Sequence, residues 1–160
     1  HLQRRRQRQM CIRDSSQAVS MKTVCLLIQC CLIQATLATE PLATDLNDIP
    51  WGAPGGGNGF PVGVRTARQG VDPDTGGITY YAMFPAGSHF DLHWHSHDEY
   101  VVVVAGELFI QLGEQTHSLS VGSYVVIPGE LPHSWTVPAG EKDAVILVRR
   151  AGPADFYFVE

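Results

Sequence analysis

The sequence predicts an all-β protein, a double-sheet jelly-roll barrel preceded by an irregular N-terminal arm. Beyond Leu42 no window shows a 3.6-residue apolar period, which argues against helices. Instead, short β-branched and aromatic runs recur at intervals of about ten residues between Gly, Pro and Asp turn signals. Many short strands so spaced are the mark of a sandwich or barrel.

In chain order the expected strands are 64–69, 78–84, 88–95, 99–105, 107–112, 116–120, 124–127, 133–137, 144–149 and 156–159. Between them stand D-P-D-T-G-G, P-A-G, L-G-E-Q, V-G-S and V-P-A-G-E-K, whose Gly, Pro and Asp residues supply the dihedrals that tight turns need. The run Y-V-V-V-V-A over 100–105 is apolar without interruption, as in a strand covered on both sides. One side would face the barrel interior, and the other a partner subunit or the arm; a homodimer is therefore an expectation.

Residues 39–63 carry W-G-A-P-G-G-G-N-G-F-P-V-G and read as an arm, which Trp51 and Phe60 are placed to pin to the body. Residues 1–20 are basic, polar and aperiodic; they read as a non-structural extension, or as an assembly artefact, since M-C-I-R-D-S resembles translated adapter DNA. In 21–38 a single Lys22 precedes an apolar stretch ending in small residues. This is the layout of a secretory signal peptide cleaved after Ala38, and the stretch is short for a membrane span. A lipid anchor at Cys30 or Cys31 fits less well, because bulky Gln29 precedes Cys30. The expected location is secreted or periplasmic.

All of Cys11, Cys25, Cys30 and Cys31 lie before this cleavage point, so the mature chain has no disulfide framework. From Thr39 onward five cationic side chains face fifteen carboxylates, a net charge of −10 against −5 for the whole chain. So acidic a surface excludes nucleic acid and anionic membrane as expected partners and leaves a small-molecule or carbohydrate substrate.

Chemistry concentrates in G-S-H-F-D-L-H-W-H-S-H-D-E-Y, residues 87–100. His93 and His95 are two apart and leave one face of a strand. Glu99 follows at an even offset, and His133 supplies a third imidazole after an apolar run. Imidazoles with a carboxylate are the ligand set of a mononuclear transition-metal centre. His97 reads as a solvated rim residue and is the single candidate for acid–base catalysis, since imidazole titrates near neutrality. By parity His89 shares the face of His93, yet it reads as a rim or polar core residue, and His117 as solvent-facing. Trp94 should point away from the metal, and Trp135 shares the parity of His133.

These residues resemble the cupin family. Gly87, His93, His95, Glu99 and Gly106 are in register with its first motif, G-x5-H-x-H-x3-E-x6-G. Gly122, Pro128 and His133 meet the second, G-x5-P-x-G-x2-H-x3-N, which the chain leaves at Glu130 and Val137. The resemblance covers about 64–160. It implies a barrel holding one divalent metal through His93, His95, Glu99 and His133, with iron, copper or manganese expected first and zinc or nickel as alternatives.

Open coordination positions at such a centre suggest a metal-dependent oxidoreductase of dioxygenase or oxidase type. The alternatives are a binding module without turnover, or a non-redox sugar isomerase or epimerase. Non-redox chemistry usually places a Lys, Arg or Tyr beside the metal, and the motif region is nearly devoid of Lys and Arg.

Overall fold

In a computed structural model the described residues are 41–159. The extension and the signal segment therefore lie outside them. Ten strands form: β1 (Arg65–Val71), β2 (Ile78–Phe84), β3 (His89–Trp94), β4 (Glu99–Ala105), β5 (Glu107–Leu112), β6 (Gln115–Ser120), β7 (Tyr124–Ile127), β8 (His133–Thr136), β9 (Ala144–Arg150) and β10 (Tyr157–Phe158). The only helical element among the described residues is a 3-10 turn, Leu46–Asp48.

The strands make two five-stranded antiparallel sheets, β1-β2-β9-β4-β7 and β10-β3-β8-β5-β6. Neither sheet follows chain order, because the chain crosses between sheets at β2–β3, β3–β4, β4–β5, β6–β7, β7–β8, β8–β9 and β9–β10. This is the jelly roll that the spacing predicts, and the strand positions match the expectation to within two residues.

Alternation fixes which face each strand turns inward. In β4, Val101 and Val103 are fully buried while Val102 and Val104 are half-buried, so the apolar run is not fully covered on its outer side. The inward residues of both sheets meet in one core with Leu108, Ile110, Ile127, Ile146 and Val148 at its centre. Gly106, at the end of β4, has φ 70° and lies against the Asp143 carbonyl, where any Cβ would overlap it. Glycine is required there on both counts.

The arm packs on the barrel through named contacts. Trp51 meets Tyr81 edge to face at 6.5 Å, the Gly52 N–H donates to Thr66 O at 3.0 Å, and Phe60 sits 5.1 Å from each of Phe90, Phe156 and Phe158.

Candidate metal centre

Three imidazoles meet between the sheets. His93 near the end of β3 is the register partner of His133 at the start of β8, and His95 follows one residue after β3 ends. Their ring centroids lie 4.3–5.1 Å apart, and one nitrogen of each lies within 4.8 Å of the others. Exposure is 1% for His93, 3% for His95 and 0% for His133.

The backbone sets the tautomer of all three rings. Each Nδ1 lies against a main-chain carbonyl: Asp91 O at 2.6 Å for His93, Asp155 O at 2.7 Å for His95, and Leu131 O at 3.0 Å for His133. A carbonyl only accepts, so each Nδ1 carries the hydrogen, and in the neutral ring Nε2 presents a lone pair. Such bonds orient metal-binding histidines. The Nε2 of His133 is buried without any hydrogen-bond partner.

Burial holds two of these rings, His93 and His133, neutral. His93 is pushed down to about 3, first by burial and then by the neighbouring His133. His133 is likewise lowered by burial, against the opposing pull of Leu131 O and Glu99.

The opposite sheet brings charge. Glu99, first residue of β4, is 4% exposed, and its Oε2 lies 3.3 Å from His95 Nε2 and 3.8 Å from His133 Nε2. Burial raises its pKa, and the charge of the neighbouring Arg150 guanidinium opposes this, holding the carboxyl below the ordinary carboxylate range. Arg150 closes β9 at 1% exposure, with Nη2 3.5 Å from Glu99 Oε1 and 3.2 Å from His95 Nε2. The Tyr80 hydroxyl on β2 donates to Glu99 Oε1 at 3.3 Å, and burial followed by the Glu99 charge raises this phenol well above its ordinary range.

The donor set fits a cation. The lone pair of His133 Nε2 faces the Glu99 carboxylate at 3.8 Å and has no donor of its own, which is unfavourable unless a positive group lies between them. His93, His95 and His133 thus form a buried cluster compatible with a metal site, with Glu99 beside two of its members.

Aromatic rings close the cluster. Phe90 stacks on His93 at 3.9 Å, and Phe156, which is 36% exposed, turns its edge to His95 at 4.7 Å. A surface cleft of about 620 Å³ lies elsewhere, lined by Gly106, Glu107, Val121, Pro138 and Lys142 among others. It contains no histidine and no buried charge, so the chemistry points to the cluster and not to the roomier cleft.

One positional expectation changes. The parity that placed His89 beside His93 fails, because a register shift between Phe90 and His93 rotates the strand. His89 instead points outward, bonding Thr136 Oγ1 at 2.8 Å, and Phe90 takes the inward place. His97 is exposed and lies over Gly152, outside the cluster. His117 is exposed, Trp94 stacks on Tyr157 at 4.2 Å, and Trp135 packs in the core 6.3 Å from His133.

The expected lack of cationic groups at the site is also overturned, since β9 runs one residue beyond the anticipated end and turns Arg150 inward. The signal was there to read. Ile146 and Val148 face the core, and period two carries that face to Arg150.

Fold and cluster together define a small cupin-domain protein. The chain matches the family model described as Cupin domain over residues 80–149. It is similar in fold to a cupin-2 domain protein of Rhodospirillum rubrum (TM-score 0.61, 17% identity, covering 76% of this chain and 82% of that one). A cupin 2 conserved barrel protein of Rhodopseudomonas palustris aligns with TM-score 0.60 and 18% identity over 75% and 86% of the two chains. The polyketide cyclase RemF of Streptomyces resistomycificus aligns with TM-score 0.59 and 15% identity over 76% and 87%. No curated protein matches the sequence.

Proposed function

We propose that this protein is a metal-dependent enzyme acting on a small organic or carbohydrate molecule, with His93, His95, His133 and Glu99 as the metal ligands. The observation that carries the reading is the set of three Nδ1–carbonyl bonds, which leaves three converging Nε2 lone pairs, one of them orphaned. A bound ion would supply Lewis-acid or redox chemistry at its open positions. The chain's own residues fix the imidazole orientations, keep His93 and His133 neutral, and exclude bulk water with Phe90 and Phe156.

For the reaction class we propose an oxidoreductase of dioxygenase or oxidase type, since imidazole-rich sites suit iron, copper and manganese. A non-redox reading has its own support. Tyr80 and Arg150 stand beside the ligands as proton-transfer and charge-stabilising groups, and one structure of similar fold is named as a cyclase. Iron, manganese, copper and zinc forms, each assayed for oxygen uptake and metal content, separate the two. Oxygen consumption with a redox ion supports the oxidoreductase. Retention of zinc alone, after the other ions have been offered, removes it.

Secretion is proposed from the signal-like segment 21–38. A homodimer is proposed across the outer face of β4 and β7, where Tyr124 and Val126 are 61% and 44% exposed opposite Val102 and Tyr100. Sedimentation velocity tests it, with a monomer at micromolar concentration as the contrary result.

A further inference from the structure

Arg150 is the one fully buried cation among the described residues, and the ligand cluster does not account for it. Its Nη1 donates to Asp155 O at 3.0 Å, its Nη2 reaches Glu99 and His95, and its guanidinium carbon lies 4.6 Å from the centre of the Phe156 ring. Its Nε–H has no acceptor although it is buried. An unpaired donor on a buried cation is costly to the fold and marks a place for an acceptor.

Charge balance points the same way. Glu99 and Asp155 are the carboxylates within 4.0 Å of Arg150, and Asp155, with its side chain 27% exposed, is partly solvated. A divalent ion added to these three charges leaves one net positive charge in a site that water hardly reaches. Turning Glu99 fully toward the ion leaves Arg150 short of its buried partner, and turning it toward Arg150 leaves the ion short. Either way one anion is missing, and buried charges require partners.

We infer that the small molecule taken by this site carries a carboxylate, or an anion of the same size, shared between the metal and Arg150. The inference rests on the metal-centre reading above and adds to it a substrate class. Neutral sugars do not meet the requirement, while hydroxy acids and uronic acids do. Arg150 is then a substrate-binding residue, and its planar fork suits a carboxylate better than a lysine would.

The test uses the full chain loaded with Mn(II), a hard ion that avoids the thiolates of residues 11–31. Manganese content is measured on every sample, so loss of metal and loss of anion are read apart. Calorimetric titration then compares glycolate with its neutral amide, glycolamide. Glycolate should bind at least tenfold more tightly than glycolamide, and Arg150→Gln should weaken glycolate at least tenfold while changing glycolamide by less than twofold. Arg150→Lys, which keeps the charge, should recover part of the loss. Should Arg150→Gln fail to fold, the glycolate-to-glycolamide ratio in the wild type and in Arg150→Lys decides. Equal affinity for the two probes, or undiminished glycolate binding in Arg150→Gln, overturns the inference and leaves the metal reading standing. Failure of the wild type to load Mn(II), Fe(II), Co(II) or Zn(II) overturns both.

Discussion

The two walls of the site contribute different things. The β3–β8 wall supplies three imidazoles, each clamped at Nδ1 by a main-chain carbonyl and aimed through Nε2. The β2–β4–β9 wall supplies a half-buried phenol, a buried carboxylate and a buried guanidinium, the carboxylate meeting both of the others. One wall is built by backbone geometry and the other by charge pairing. Substitutions on the first should therefore cost metal with little cost to the fold, whereas loss of the Glu99 carboxylate on the second should cost both.

The largest effect is expected on the first wall. His133→Ala should abolish stoichiometric metal binding while leaving a folded barrel, measured by elemental analysis beside circular dichroism. Full metal loading in that variant would remove His133 from the ligand set.

Next comes the second wall. Glu99→Gln keeps the shape and removes the charge opposite Arg150. Breaking a buried pair on one side costs about 3–5 kcal/mol, and loss of a residue supporting or completing a metal site costs about 10–100-fold in affinity. Urea denaturation and metal titration should show both losses; a change in one alone would dissolve the contrast between the walls.

Acid sharpens the comparison. Unfolded imidazoles titrate near about 6.5, whereas folded His93 resists protonation down to about 3 and folded His133 is lowered in the same direction. The unfolded chain therefore binds more protons in this window, so stability is full above about pH 6.5 and falls as pH drops toward 3. Metal-free protein should lose stability between pH 7 and 5, where carboxylates are ionised in both states. A flat denaturation profile there would contradict the neutral, buried imidazoles.

The smallest effect lies at the junction of the walls. Glu130, in the β7–β8 turn, has φ 63° and donates its N–H to His95 O at 2.7 Å. It occupies the position where the second motif usually carries glycine, so the backbone keeps the left-handed conformation at a steric cost of about 1–2 kcal/mol. Glu130→Gly should stabilise the fold by up to about 1 kcal/mol, the remainder being offset by glycine's chain entropy. Destabilisation on thermal melting would show that the Glu130 side chain has a role of its own.

Much of this was legible in the sequence because period-two alternation and turn residues are local signals. Strands β2, β4, β5 and β7 fall where those signals place them. His93 and His95 share a motif and a face, His133 belongs to the second motif, and the three converge. What escaped was non-local. Tyr80, Arg150 and Asp155 come from elements far apart in sequence, and only the strand order β2-β9-β4 brings the first two to Glu99. The bulge in β3 escaped too, since a shifted register has no glycine or proline to announce it, and it took His89 off the face of His93.

The most direct test is the metal content of protein made without residues 1–38, which removes every cysteine and leaves the barrel as the site for a soft or borderline ion. One divalent transition-metal ion per chain is expected after exchange and dialysis, lost on His133→Ala. A folded barrel that retains no ion when iron, manganese, copper and zinc are each offered would contradict it.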